Sequence, residues 1–107
     1  MVISLTNSCL EVLAEHLLTK VVSAEIELDN KIVQAGLTKN REGTLVKFII
    51  SLGADSSGVI TNRILKNDMG EVFWSDQAGK VRIIKPKRDM QIVIPIDVSW
   101  LEGGGKH

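Results

Sequence analysis

Residues 20–29, KVVSAEIELD, mark the point at which the sequence changes from a helical to a strand pattern. Apolar and polar residues alternate here, the apolar set being Val22, Ala24, Ile26 and Leu28 and the polar set Ser23, Glu25, Glu27 and Asp29. Successive side chains of a strand point to opposite faces of its sheet. The alternation therefore predicts a strand with one buried and one solvated face.

The segment before this strand has helical spacing. Its apolar stripe consists of Leu10, Leu13 and Leu17, with Cys9 and Val12 beside them. The candidate N-caps are Thr6, Asn7 and Ser8, the last in capping-box spacing with Glu11. We expect one short helix over residues 5–18 that packs its apolar stripe against a partner.

Turn-prone residues divide the rest of the chain into short strands. Asp29-Asn30 predicts a tight turn, and 39–43 a polar loop. The predicted strands are 31–37, 44–52, 59–66, 71–74, 81–84 and 92–100. We expect an α+β, mostly β fold, with the helix packed on an antiparallel sheet or β-sandwich of six to seven strands. Residues 1–102 are expected to form one domain and 103–107 a flexible glycine-rich tail.

Composition narrows the function classes. The chain of 107 residues has thirteen basic and thirteen acidic residues, so no overall field attracts nucleic acid or an anionic membrane. The single cysteine excludes an internal disulfide. No apolar run approaches the roughly 20 residues that span a bilayer, and we see no signal-peptide pattern. We expect no nucleic-acid or membrane partner.

Residues able to catalyse a reaction are few. The histidines are His16 and His107, and the one thiol is Cys9. A nucleophilic thiol needs a base at hydrogen-bond distance, whereas residues seven apart on a helix are about 10 Å apart. We expect structural roles for Cys9 and His16, no catalytic residue, and no cofactor.

Two charged clusters are candidate binding sites. The carboxylates Glu25, Glu27 and Asp29 could bind a hard cation, but no loop wraps them around an ion, and a solvated sheet face fits better. The basic cluster consists of Lys80, Arg82, Lys85, Lys87 and Arg88. It could bind phosphates, but no stacking aromatic lies among its members, and guarding strand edges fits better. We expect no metal site.

The aromatic residues suggest a surface for a partner. Phe73 and Trp74 are adjacent, so one ring should enter the core while the other faces outward. Trp100 is in phase with apolar residues of the last strand and is expected inside. Pro95 lacks a ladder donor, which places that strand at an edge or a bulge. We take Phe73, Trp74 and Pro95 as candidate partner-binding residues.

Three segments resemble tail proteins of phages. VISLTNSCLEVLAEHLLTKVVSAEIEL, residues 2–28, is similar to the start of phage tail-collar fibre proteins, with Cys9 in place of their glycine. GVITNRILKNDMGEVFWSD, residues 58–76, resembles a hairpin of those proteins and of small tail-region proteins from phages and prophages. KPKRDMQIVIPIDVSW, residues 85–100, fits the same ending.

The resemblance implies a structural or adaptor component of a phage or prophage tail, in its fibre, collar or baseplate. It implies other tail or baseplate proteins as partners and location in the virion or, during assembly, in the host cytoplasm. It implies no catalytic residue. An edge strand able to pair leads us to expect docking or self-association into a homo-oligomer through that edge. The alternative is a small carbohydrate- or ligand-binding β module, suggested by Trp74 near the polar residues Ser75, Asp76 and Gln77.

Overall fold

The computed structural model describes residues 6–76 and 80–98. These residues form an N-terminal helix followed by strands, with the bounds α1 Asn7–Lys20, β1 Val21–Leu28, β2 Lys31–Glu42, β3 Leu45–Leu52, β4 Gly58–Asn67, β5 Val72–Ser75, β6 Ile83–Lys85 and β7 Met90–Asp97. All paired strands run antiparallel. The fold is α+β and mostly β, which confirms the predicted class.

The strands form one curled sheet in the order β5-β4-β1-β2-β3-β7, and β6 also pairs with β4. β5 and β6 occupy successive segments of the same edge of β4. The long strand β2 is the corner of the sheet, since residues 31–35 pair with β1 and residues 36–42 with β3. Of the two expected arrangements, the described residues form the single antiparallel sheet.

The helix α1 lies over this corner, where it contacts β1, β2 and β3. Thr6 is its N-cap, and the Thr6 hydroxyl accepts a hydrogen bond from the Cys9 amide at 3.2 Å. Ala14 is the fully buried residue of the helix, and its short side chain allows the helix to approach the sheet closely. The predicted stripe is wrong in part, because Leu13 is 45% exposed and Val12 is 67% exposed.

The strand β1 departs from simple alternation at its start. Val21 is fully buried, whereas Val22, predicted to face inward, is 48% exposed. The reason is a register shift against β4 between Val21 and Ser23, which moves one residue to the other face. From Ala24 onward the predicted inward residues of β1 are buried.

The polar segment 39–43 is part of β2 up to Glu42 and is not a loop as predicted. Its polar residues still alternate, and every second one faces the helix. Lys39 donates from Nζ to the Val21 carbonyl oxygen at 2.7 Å, at the C-terminal end of α1. A cation is favourable at the negative end of the helix dipole. The end of the helix therefore supplies an acceptor for the Lys39 ammonium, so this polar residue can lie within the strand.

The centre of the core comes from β3 and β7. The inward residues of β3 are buried as predicted, namely Val46, Phe48, Ile50 and Leu52. Ile92 and Ile94 of β7 are buried beside them, and Ile96 and Val98 pack against the same cluster. The predictions for Trp100, His107 and the tail 103–107 lie outside the described residues.

The predicted turn at Asp29-Asn30 is confirmed, and a second turn joins β4 to β5. Asp29 and Asn30 have φ values of 50° and 67°, as the central residues of a type I′ hairpin require. At the β4–β5 turn, the Asn67 side-chain oxygen accepts hydrogen bonds from the amides of Met69 and Glu71. Gly70 follows with φ 77°, a conformation that favours glycine. The first turn sets the register of β1 with β2, and the second joins β4 to β5.

Candidate interaction surface

The strand β7 is the last strand of the sheet beyond β3. Pro95 lies within it, paired with Lys47 of β3, and is exposed. The expectation that proline places this strand at an edge is confirmed. Among the described residues, no strand pairs with the outer side of β7.

The direction of the β7 backbone groups follows from one hydrogen bond. The Val98 amide donates to the Thr44 carbonyl oxygen at 3.0 Å. In an antiparallel ladder, residues alternate between those bonded to the neighbour and those whose backbone groups point away from it. Even-numbered residues of β7 therefore bond to β3, and the backbone groups of Gln91, Val93, Pro95 and Asp97 point outward.

This outer edge is weakly guarded against pairing. Natural edge strands are protected by shortness, by charged side chains or by proline. β5 has four residues and β6 has three, so their edges are short. β7 has eight residues, and its sequence MQIVIPID carries a single charge, at Asp97. Pro95 removes one donor from the edge, but the remaining outward groups can accept another strand.

The β4–β5 hairpin presents a second apolar surface. Phe73 is 43% exposed, Val72 is 59% exposed and Met69, in the turn, is 78% exposed. Trp74 instead packs against the core cluster from the other face of β5. Adjacent aromatic residues thus take opposite faces as predicted, and Phe73 is the more exposed of the two.

Arg63 lies over the Trp74 ring and forms an ion pair with Asp76. The Arg63 guanidinium carbon lies 5.6 Å from the Trp74 ring centroid. Asp76 accepts hydrogen bonds from Nε, Nη2 and the backbone amide of Arg63, each at 2.9 Å. The side chains of Arg63 and Asp76 are 19% and 9% exposed. Sequence reasoning missed this unit because the partners lie on different strands and no local motif joins them.

The ion pair changes both pKa values. Burial by itself raises the pKa of the Asp76 carboxyl, but the hydrogen bonds from the Arg63 side chain and backbone outweigh it and hold that pKa below its ordinary value of 3.8. The hydrogen bond to Asp76 raises the pKa of the Arg63 guanidinium despite its burial. Both groups are therefore charged at neutral pH, and their opposite charges neutralise each other.

The segment GVITN, residues 58–62, has structural roles at each polar position. Gly58 has φ 149°, and a Cβ atom there would lie 2.3 Å from the Asp29 carboxylate. The Thr61 hydroxyl donates to Glu27 at 2.8 Å, and the Asn62 side-chain oxygen accepts from the Asp76 amide at 3.1 Å. The segment fixes β4 between its neighbours.

The acidic residues of β1 do not form a solvated face throughout, which corrects the prediction. Glu25 is only 8% exposed. It accepts a hydrogen bond from the side-chain amide of Gln34 at 2.7 Å and forms an ion pair with the Lys66 ammonium at 3.1 Å. The Asp29 carboxylate accepts from the Val59 amide at 3.0 Å. Each carboxylate thus has its own partner on a neighbouring strand, which explains why a charge pattern alone did not reveal the burial.

The basic cluster does not share one exposed surface, because Lys85 is only 1% exposed. Its ammonium donates to the carbonyl oxygens of Ser56, Pro86 and Arg88 at 2.6, 3.0 and 3.1 Å. The predicted role of Lys85 in guarding an edge is therefore wrong. Three acceptors match the three donors of an ammonium group, so Lys85 joins the loop after β3 to the segment after β6.

The region around α1 contains the other candidate groups. Cys9 is half-buried and His16 is exposed. An open cleft between α1 and β2 is lined by Ser8, Glu11, Val12, Glu15 and Arg41, and neither Cys9 nor His16 is among its lining residues. Arg41 binds Glu15 at 3.0 Å and lies 3.7 Å from Glu11, which balances part of the acidic charge of the cleft. Within residues 6–76 and 80–98, no group of three or more histidine, cysteine or acidic side chains could hold a metal ion.

Comparison of the chain with models of protein families, with curated proteins and with solved structures found no match. In the part of the chain that the structure describes, no helix has the length and apolar character needed to cross a bilayer. The outer edge of β7 and the apolar surface of the β4–β5 hairpin are therefore the features that bear on function.

Proposed function

We propose that this protein is a non-enzymatic structural or adaptor component of a phage or prophage tail, acting through protein–protein contacts. The observation that carries the proposal is the outer edge of β7, a strand of eight residues with one charge and outward backbone groups. Such an edge can bind a strand of another chain by main-chain hydrogen bonds. Pro95 lies in this edge and lacks an N–H group, so a partner strand can donate to its carbonyl oxygen but cannot accept a hydrogen bond from it.

The hairpin surface supports the same proposal. Met69, Val72 and Phe73 place exposed apolar side chains at one end of the β4–β5 hairpin. Large exposed apolar residues grouped in this way mark contact surfaces more often than isolated ones do. An aromatic anchor such as Phe73 is a typical contributor to the affinity of an interface. The partners we propose are other tail or baseplate proteins.

The polar groups of the sheet support a structural role. Arg63 with Asp76, Lys66 with Glu25, and Lys85 with its three carbonyl acceptors each hold separate strands or loops together. A reaction centre would need a nucleophile or base turned toward a common cavity. These charged groups instead serve the fold, so we propose contact rather than catalysis as the function.

The proposal is tested in the phage or bacterium that carries the gene. The gene is deleted, particles are induced and purified, and their tails are examined by electron microscopy and mass spectrometry. We expect the chain in purified wild-type particles and incomplete tails after deletion. A chain absent from purified particles, together with normal tails after deletion, would contradict the proposal.

The alternative is a carbohydrate- or ligand-binding module centred on Trp74. The half-buried indole near Asp76 is the observation in its favour. Sugars stack on open aromatic faces, but the Arg63 guanidinium lies over this ring at 5.6 Å and is held there by Asp76. Glycan-array binding that is lost in Trp74→Ala and kept in Phe73→Ala would favour this alternative.

A further inference from the structure

We infer that the outer edge of β7 pairs antiparallel with β7 of a second copy of this chain, with Ile94 on the two-fold axis. This inference rests on the proposed function and identifies the first partner of the edge. A two-fold axis uses the same strand on both copies, so the contact must be self-complementary. The outward residues of β7 can be tested for that property one register at a time.

The Ile94-centred register places Gln91 opposite Asp97 of the second copy and Val93 opposite its Pro95. All four residues are exposed, and Val93 is 48% exposed. Asp97 uses Oδ1 to accept a hydrogen bond from the Thr44 hydroxyl at 2.8 Å. Its Oδ2 has no partner among the described residues and can accept from the Gln91 amide. Each half of the contact thus has one polar pair and one apolar pair.

Other registers are less complementary. Centring the axis on Val93 places Asp97 opposite Asp89, so two carboxylates face each other. Centring it on Pro95 places the two prolines opposite each other, where neither has a donor. Centring it on Ile92 leaves the C-terminal half of β7 without a partner. A register shifted by a single residue would place the buried side chains of one copy on the same face as the exposed side chains of the other. The Ile94-centred register pairs seven of the eight β7 residues with β7 of the second copy, and it opposes neither two carboxylates nor two prolines.

The contact is expected to be weak and dependent on concentration. Each Pro95 contributes only its carbonyl acceptor, so each half of the ladder has one hydrogen bond fewer than an unbroken edge. A strand-edge contact also buries less than the roughly 1,200 Å² at the lower limit of stable interfaces. The proline therefore limits the affinity of the pair rather than preventing it.

Disulfide cross-linking tests the register. In a Cys9→Ala background, Val93→Cys and Pro95→Cys chains of different mass are mixed and oxidised gently. Directly opposed residues have Cα atoms about 5.5 Å apart, which suits a disulfide. We expect the mixed Val93→Cys/Pro95→Cys product to form faster than either homodimer. Ile32→Cys, on another exposed strand position, is the matched control.

Sedimentation equilibrium tests the affinity. Pro95→Val restores a donor on each copy, hence two hydrogen bonds per dimer, and should tighten the dimer roughly 30-fold at the usual contribution of each hydrogen bond. Gln91→Glu should weaken it a few-fold by facing Asp97, whereas Gln91→Lys should not. Cross-linking no faster than Ile32→Cys, or a dominant Val93→Cys homodimer, would overturn the inference. If the chain is nevertheless found in tail particles, the proposed function stands and another strand occupies the edge.

Discussion

The Asp76 carboxylate accepts three hydrogen bonds from Arg63, each of 2.9 Å, two from the guanidinium and one from the Arg63 backbone amide. The pair ties β4 to the end of β5 and holds the guanidinium over Trp74. Removing one member of a buried ion pair leaves the other charge without a partner. The stability of the hairpin therefore depends on the charge of Asp76.

The first prediction concerns the loss of folding stability at acidic pH. Because the pKa of Asp76 is lowered in the folded state, its stabilisation is fully present above its ordinary value of 3.8 and is lost as pH falls through the lower folded value. Asp76→Asn should lower the free energy of unfolding by about 3 kcal/mol at pH 7. Urea titrations at pH 7 and pH 3 measure the effect.

The control for this prediction is the pH dependence itself. The difference in unfolding free energy between wild type and Asp76→Asn should shrink at pH 3, since this pH lies below the ordinary pKa of 3.8, at which the carboxyl of the unfolded chain takes up a proton. Asp55→Asn, on an exposed loop, should behave like wild type at both pH values. A difference between wild type and Asp76→Asn that stays constant from pH 7 to pH 3 would contradict the assigned ion pair.

The second prediction concerns Lys85. Replacing it with methionine keeps most of the side-chain volume but leaves the carbonyls of Ser56, Pro86 and Arg88 without their shared donor. Unsatisfied buried acceptors are costly, so we expect a loss of about 3 kcal/mol in unfolding free energy. Lys87→Met, at an exposed neighbour, should change stability by less than about 0.5 kcal/mol. Equal effects from the two variants in thermal unfolding would refute the role of the ammonium.

The third prediction concerns Gly58. Gly58→Ala would bring a Cβ atom to 2.3 Å from the Asp29 carboxylate and displace it from the Val59 amide. We expect a loss of roughly 3 kcal/mol, from backbone strain and the broken hydrogen bond together. Gly43→Ala is the matched control, because Gly43 has φ 64° and nothing within 4 Å of its Cβ position. The control should lose only about 1 kcal/mol. A smaller loss at position 58 than at 43 would show that the contact with Asp29 is unimportant.

The fourth prediction separates the two hairpin aromatics. Phe73→Ser should change the unfolding free energy little, since the ring is 43% exposed. Trp74→Ala removes a ring that packs on the core and should cost about 3 kcal/mol. Denaturant titration compares the two variants directly. A larger loss from Phe73→Ser than from Trp74→Ala would reverse their assigned faces.

Patterns confined to one element were sufficient to predict much of the fold. Alternation placed Phe48 and Ile94 inside, Asp29-Asn30 predicted a tight turn, and Pro95 predicted an edge or a bulge. These features depend on the period of two and on the dihedral preferences of single residues. They required no knowledge of which strands are neighbours.

Features that depend on strand neighbours were not predictable in the same way. The exposure of Val22 follows from a register shift against β4, and the burial of Glu25 from partners on β2 and β4. Lys85 is inside because two separate loops supply carbonyls around it. A charged residue normally predicts exposure, and only the tertiary arrangement reverses that expectation. The same limit applies to the Arg63–Asp76 pair.

The outer edge of β7 is the proposed contact surface, and amide hydrogen exchange measured by NMR tests its pairing most directly. In dilute solution the amides of Ile92, Ile94 and Ile96, which face β3, should be protected, and those of Gln91, Val93 and Asp97 should exchange quickly. Raising the protein concentration should protect the second set alone. Protection of Gln91, Val93 and Asp97 already at high dilution, or none at any concentration, would contradict the proposed pairing of this edge.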